Sequence, residues 1–358
     1  MLGNNIKFKY KLIFVIKLII FNNDFIINLK FTKKRIGIIG LEHSQNVGNN
    51  LLKFAISIKL TELGYDPYIV GKQYKKHNIS FINSTTKIRL IKNFSEIKEN
   101  EFDLLMVNSD QTWRKYNSDF YDIAFLKFAE KWKKTKFIYG ASLGFNDWKL
   151  NRTDEVIAKT LLVRFAGLSV REITSIDLIE KHLGFKAQFV LDPTLLINKK
   201  YYENLIKDYK SDIVDQQNNN CNYIFVYILS NRKRYIKYLK YIKSILGLKI
   251  VILTIYTKNQ VKEFLYGIIN SEAVLTDSYH GTIFSIIFNK PFISFSKLGK
   301  RESRFNSLNK VFNIQDRIFK YNTNPPIYLL KQPLILNHTK LNILKQESIN
   351  YLTKSLAD

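Results

Sequence analysis

Cysteine is almost absent from this chain: Cys221 stands alone in 358 residues. That excludes an intramolecular disulfide and a cysteine-rich zinc site, and it fits a reducing compartment. Acidic residues are scarce as well, 30 against 56 Lys and Arg, for a net charge of +26. An excess of that size invites a nucleic-acid reading. No DNA- or RNA-binding module appears, however, and the lysines are spread through nearly every segment among many Ile and Asn residues. A whole-chain codon bias is the simpler cause, so no nucleic-acid partner is expected. The positive field still favours anionic small molecules and an anionic membrane surface. No residue cluster suggests a required metal, and no cofactor is expected.

An uninterrupted apolar run of membrane length is missing too. Tyr10–Phe21, YKLIFVIKLIIF, is broken by Lys11 and Lys17, and its extension to Phe31 contains Asn22, Asn23 and Asp24. It is too short and too polar for a spanning helix. No small-residue cleavage site follows, which argues against a secretory signal. Residues 1–34 therefore read either as a peripheral membrane contact or as an extra segment ahead of the first domain. The expected location is the cytoplasm, with any membrane contact on the inner face of the cell membrane.

What is present is enough apolar material for packed cores, 46% hydrophobic and 14% aromatic, on a length that suggests two domains. Buried strands are expected at 35–40, 68–70, 102–107, 136–141, 167–170 and 188–191. Helical spacing fills 49–63, 153–165 and 174–182. Repeated strand–helix alternation argues an α/β fold with parallel sheets covered on both faces. The polar stretch 208–222, with QQNNN at its centre, reads as a linker. A second α/β run follows, with strands at 223–229, 249–255, 272–276 and 292–295, helices at 234–246, 260–269 and 282–288, and a terminal helix over 341–356. The expected domains are thus 35–207 and 223–358, the terminal helix belonging to the second.

Several polar clusters interrupt this apolar pattern at strand ends, where open α/β sheets bind ligands. The strongest is Asp277-Ser278-Tyr279-His280-Gly281, expected as a loop between a strand and a short buried helix beginning at Thr282. Free N–H groups at a helix start favour an anion, and Gly281 would let one approach. His280 can donate to that anion or shuttle a proton. The plainer alternative is that Asp277 and Ser278 only cap the helix. Ser109-Asp110-Gln111 ends the strand 102–107. There Asp110 could accept a proton or a sugar hydroxyl, Gln111 could bond a polyol, and Trp113 could stack on a sugar; the alternative is an Asp cap beside a core Trp. Gly48 and Asn49 follow the first strand, in a loop whose His43 reads as exposed. They could hold a ligand, or supply turn chemistry and an N-cap. No G-x-G-x-x-G pattern is present, so a dinucleotide is not indicated. Arg171 ends the strand 167–170. Arg304 follows the second-half cluster closely enough to reach the same rim, although an exposed basic helix start is the plainer reading.

Taken in order, VGNNLLKFAI, NSDQTW, GASLG, LSVRE, FVLDPTLL, EFLYGIINSEAVLTDSYHGTIFSIIFNKPFISF and SRFNSL resemble the polysaccharide pyruvyl transferase family over roughly 35–317. The late block is the most specific part. The resemblance implies two Rossmann-like domains facing across a cleft, a GT-B-like arrangement, the first on the acceptor side and the second on the donor side. It implies transfer of pyruvate from phosphoenolpyruvate onto a sugar of a cell-surface polysaccharide or lipid-linked glycan precursor, commonly as a ketal. It marks His280 and Arg171 as the donor-site pair. Gly48, Asn49, Ser109, Asp110 and Gln111 match its amino-domain loops. Asn108 stands where Gly is more usual, and Val47 where an aromatic is often found.

That chemistry needs a cation for the donor's carboxylate or phosphate, a proton for its vinyl carbon, and a base near the acceptor. Arg171 suits the first by its planar fork, and His280 suits the second. The helix start at Gly281 and Thr282 adds N–H donors, and Asp110 is the candidate for acceptor binding or base. Two other readings stay open: a GT-B glycosyltransferase with a nucleotide-sugar donor, and a non-catalytic glycan-binding relative.

Overall fold

The computed structural model describes residues 32–41, 46–72, 85–115, 118–214, 222–254, 257–296, 302–321 and 323–357. The apolar block Tyr10–Phe21, His43 and Cys221 lie outside them. The first half runs β1 (Arg35–Ile39), α1 (Val47–Glu62), β2 (Asp66–Lys72), β3 (Lys87–Ile91), β4 (Leu104–Val107), α2 (Phe120–Phe125), β5 (Thr135–Ala141), α3 (Arg152–Leu162), β6 (Gly167–Val170), α4 (Thr174–Leu183), β7 (Gln188–Phe189) and α5 (Lys199–Leu205). The second runs β8 (Tyr223–Tyr227), α6 (Ile236–Leu246), β9 (Lys249–Ile252), α7 (Gln260–Asn270), β10 (Ala273–Thr276), α8 (Tyr279–Ile287), β11 (Phe292–Ser296), α9 (Glu302–Phe312), β12 (Ile318–Lys320) and α10 (His338–Ala357).

Every strand pair is parallel. The first sheet has the order β3-β2-β1-β4-β5-β6-β7 and the second β12-β11-β10-β8-β9. The central strands β4, β8, β10 and β11 are buried throughout and largely apolar, as expected of parallel strands covered on both faces. Local chemistry sets the helix starts. Asn46 caps α1 by accepting the Asn49 N–H at 3.1 Å, and Asn151 caps α3 through Asp154 N at 2.9 Å.

In the second sheet, successive residues alternate between two cores. Tyr223, Phe225, Tyr227, Val274 and Phe292 belong to the same core as β1 and α1 of the first half. Ile224, Val226, Leu275, Ile293 and Phe295 face the opposite way, under Tyr238, Leu239 and Ile242 of α6. One apolar core therefore runs continuously from the first sheet's helices to the inner face of the second.

The expected elements are present, with differences that have physical causes. The strand β3 alternates poorly and is half exposed at the sheet edge, and α2 and α5 are short, so none carries a clear period. The helix expected from Thr282 begins at Tyr279. Its apolar run starts later than its cap, so His280 and Gly281 occupy the first turn rather than a loop. Gly48 and Asn49 likewise lie inside α1. The terminal helix, expected with the second half, docks on the first sheet. Tyr351 Oη donates to the Ile138 carbonyl at 2.7 Å, and Leu191 N donates to Ser348 Oγ at 2.9 Å. Gly167 of β6 lies directly beneath Tyr351 and Ser355. Among the described residues, no helix is long and apolar enough to cross a membrane.

Candidate active site

Strand order reverses between β1 and β4 in the first sheet and between β8 and β10 in the second, which puts the ligand-binding rim of each at its carboxyl edge. The candidate site is assembled from residues just past those edges. Asp110 follows β4, Arg171 follows β6, Asp192 follows β7, and His280 sits in the first turn of α8.

Asp110 adopts φ +109°, a conformation that side chains other than Gly avoid and that needs support from its surroundings. Here the support is visible. Its carbonyl accepts Thr112 N at 2.7 Å and Ser142 N at 2.9 Å, tying the residue to the end of β5. Its carboxylate accepts Arg171 Nη2 at 2.8 Å. Arg171 Nη1 donates at 2.8 Å to Asp192 Oδ2, and Asp192 Oδ1 accepts both Thr194 Oγ1 at 2.7 Å and Thr194 N at 3.1 Å. The same Asp192 Oδ2 stands 3.7 Å from His280 Nε2, an ion-pair separation longer than a hydrogen bond. Among the described residues, His280 Nε2 has no hydrogen-bond partner. It is a buried ring nitrogen that faces a carboxylate. The chain Asp110–Arg171–Asp192–His280 links both halves of the molecule.

Tyr279 forms the floor. The Arg171 and Arg304 guanidinium centres lie 5.0 Å and 5.4 Å from its ring centroid, within cation–π range. Arg304 is buried, so it is not an exposed helix start. Ser307 of the same helix α9 accepts Ile173 N at 3.0 Å, bringing α9 against the turn after β6. Glu172 is buried beside it, receiving Ser175 Oγ at 3.1 Å and bonding Ser142 Oγ.

The electrostatics follow from this crowding. Burial alone would raise the Asp110 carboxyl, but the fields of Arg171, His280 and Arg304 outweigh it and hold the group below the usual carboxylate range. Burial is likewise overcome at Asp192, where His280, Arg171 and the Thr194 hydroxyl hold the carboxyl far below that range. Burial would lower Arg171, yet Asp110 and Asp192 raise it. Burial pushes the Tyr279 phenol well up, so it stays neutral. Both carboxylates are ionised and Arg171 is fully charged.

The structure sorts the expected site residues. It brings together His280, Arg171, Asp110 and Arg304. It places the others behind them as scaffold. Ser278 caps α8 through Gly281 N at 3.3 Å. A Cβ on Gly281 would lie 2.2 Å from Thr276 Oγ1, so this glycine serves helix–strand contact and not the approach of an anion. Thr282 Oγ1 bonds Ser294 Oγ at 2.6 Å. Ser109 Oγ donates to the Gly140 carbonyl at 2.8 Å, and Gln111 Oε1 accepts Arg114 Nη1 at 3.2 Å. Asn49 Nδ2 donates to the Leu41 carbonyl at 2.8 Å. Gly48 is where α1 meets the site: a Cβ there would lie 1.9 Å from His280 Nδ1. Asp277 accepts Leu229 N at 2.7 Å and Ser230 N at 3.0 Å, joining β10 to β8. Trp113 is core, its ring 5.1 Å from Phe125. Asp192 and Tyr279 escaped the sequence reading. The signal available for Asp192 was an Asp-Pro at a strand's carboxyl end, which also reads as a turn. Among the described residues, no group of three or more His, Cys, Asp or Glu is arranged to hold a metal ion.

Two parallel doubly wound sheets whose carboxyl edges meet at one buried cluster define a GT-B-like protein. Solved structures show the same fold. S. aureus MnaA, solved with UDP, aligns with TM-score 0.56 at 13% identity over 91% of this chain and 97% of its own. The UDP-GlcNAc 2-epimerase of Methanocaldococcus jannaschii gives TM-score 0.56 at 13% identity over 89% and 99%. Arabidopsis thaliana UGT89C1, complexed with UDP-L-rhamnose, gives 0.54 at 9% identity over 91% and 98%. At these identities the likeness is one of fold. No curated protein matches in sequence. The family itself is settled by sequence: the model of the polysaccharide pyruvyl transferase family matches residues 46–297, and this chain belongs to that family of transferases.

Proposed function

We propose that the protein transfers the pyruvyl group of phosphoenolpyruvate to a sugar of a polysaccharide or its lipid-linked precursor, forming a ketal. The observation that carries this reading is the Asp192–His280 pair, anchored by Arg171 and Asp110, in a chain of this family. A proton from His280 adds to the methylene carbon of the donor while a sugar hydroxyl bonds to C2. Phosphate then leaves C2 with its electron pair, and a second hydroxyl closes the ketal. Each hydroxyl gives up one proton. One of them restores His280 and the other leaves on the phosphate, so donor and diol yield ketal and inorganic phosphate. Asp192 faces the imidazole and orients it.

The role of Arg171 differs from the expected clamp. Both of its terminal nitrogens are committed to carboxylates, so it acts by positioning Asp192 and Asp110. Binding of the donor's phosphate or carboxylate is assigned instead to Arg304, which is buried over the same Tyr279 ring. In this proposal Asp110, with its side chain partly accessible, takes the acceptor side.

The test is phosphate release from phosphoenolpyruvate with candidate acceptors, with mass analysis for the added pyruvyl group. His280→Ala should lower turnover by about a hundredfold to ten-thousandfold, the usual worth of general acid–base help. Phosphoenolpyruvate at about one hundred times its dissociation constant should stabilise the fold by roughly 2.7 kcal/mol. Stabilisation by UDP- or GDP-sugars and not by phosphoenolpyruvate would overturn the proposal in favour of a nucleotide-sugar donor.

A further inference from the structure

The helix α6 covers the face of the second sheet turned away from the first half. Its inner side is buried through Tyr238, Leu239 and Ile242, which pack on that sheet. Its outer side is unusual. Ile236, Tyr241 and Ile245 are 45%, 50% and 58% exposed, and Lys237, Lys240 and Lys243 are exposed between them. The turn before the helix adds exposed Lys233 and Arg234. Arg234 lies 5.7 Å from the ring centroid of Tyr321, and Tyr238 Oη donates to the Pro325 carbonyl at 2.9 Å. These contacts set the neighbouring segment Ile327–Leu330, with its exposed Tyr328, beside the helix. From Gln216 to Lys262 the sequence contains no Asp or Glu, so nothing in that stretch offsets these cations.

The chain-wide lysine excess does not account for this face, because it does not explain Tyr241 and Ile245 exposed one turn apart beside the charges. We infer that the outer face of α6 docks on a membrane surface bearing anionic lipid headgroups. The lysines and Arg234 would meet the headgroups, while Tyr241 and Ile245, neighbours one turn apart on the helix, enter the headgroup–acyl boundary. Basic residues beside apolar and aromatic ones on an exposed helix face are the pattern that such surfaces bind. A nucleic-acid phosphate backbone would use the cations and leave the aliphatic side chain of Ile245 in water, so its exposure favours lipid. The inference does not depend on the identity of the donor.

The test is sedimentation of the full chain with vesicles of phosphatidylcholine alone and of phosphatidylcholine with about one-third phosphatidylglycerol. Binding should require the anionic lipid and weaken as salt rises. The triple variant Lys237→Glu, Lys240→Glu, Lys243→Glu should lower partitioning at least about tenfold, since each basic residue near an anionic surface contributes on the order of fivefold. The double variant Tyr241→Ser, Ile245→Ser should lower it several-fold with the thermal midpoint unchanged, because both side chains are exposed. Val156→Ser with Val163→Ser, exposed apolar positions of the first half, serves as the control and should not change it. Three results would each overturn the inference. One is no binding to anionic vesicles. Another is equal binding by wild type and both α6 variants, which would locate the contact elsewhere. The third is loss in the charge variant alone, which would mean general attraction to polyanions.

Discussion

At the scale of single residues, Gly48 is the most constrained position near the site. A methyl group there would need the space held by the His280 ring, 1.9 Å away at Nδ1. The ring has little freedom to retreat, because Tyr279 packs edge-on to it at 5.3 Å and Asp192 lies beyond Nε2. Gly48→Ala should therefore cost about 1–3 kcal/mol of stability and a larger share of turnover, because His280, to which the proposal gives the proton transfer, is displaced. Thermal melts beside phosphate-release rates check this; a variant that melts low but turns over normally would contradict it. Asp192→Asn acts differently. It removes one of the two carboxylates from a fully buried arginine, a change that costs about 3–5 kcal/mol when charge is left uncompensated. The folded-state pKa values of Asp192 and Asp110 are depressed. The stability they confer is complete above the unfolded carboxylate value, about pH 4, and drains away as pH falls towards their folded values. Acid unfolding of the wild type should show this loss below about pH 4, and Asp192→Asn should show a smaller one. An identical acid slope in both proteins would mean that Asp192 is not ionised in the fold. His280, Arg171 and Asp110 were legible in the sequence because each is polar where a buried strand ends. Asp192 was not, because its importance comes from β6 and β7 lying side by side, and a local Asp-Pro carries no trace of that pairing. Gly48 was legible as a glycine; what it makes room for was not.

At the scale of elements, the clearest lesson is α10. Its helical character is plain in the sequence, but its docking surface is not. A helix with apolar residues on one side signals only that something covers them, and the covering strands β5 and β6 lie some two hundred positions earlier. The α8 start shows the same division at shorter range. Ser278 carries the cap signal, whereas the apolar run begins at Thr282, and the run was the louder of the two. The edge strand β3 and the short α2 and α5 have too few periods to be read locally. The docking of α10 has a measurable consequence. Leu352 is fully buried and Tyr351 bonds the β5 backbone, so the helix is part of the first sheet's cover. Leu352→Ala should cost about 2–5 kcal/mol and raise amide exchange in β5 and β6, not only in α10. Exchange confined to α10 would mean that the helix frays independently of the sheet.

At the scale of the whole molecule, the two sheets share one apolar core, and the seam passes through Tyr202. Its ring lies 5.8 Å from Phe54 of α1 and 4.9 Å from Phe284 of α8, so it touches helices belonging to different sheets. Its hydroxyl donates to the Thr194 carbonyl at 2.8 Å, and Thr194 in turn holds Asp192. Packing at the seam and geometry at the site are therefore one structure. His280 comes from the second half, its carboxylate neighbour Asp192 from the first, and the distance between them depends on how the halves pack. A protein built this way should unfold in a single cooperative transition, because the helices covering the two inner faces pack on one another in one core. Tyr202→Ala removes a large buried ring from that seam and should cost about 3–5 kcal/mol. Calorimetry should then show the single transition broadening or dividing, while turnover falls more than the lost stability explains, because His280 and Asp192 are no longer held at their spacing. Two separate transitions already present in the wild type would refute the shared core, and with it the argument that the seam sets the geometry of the site.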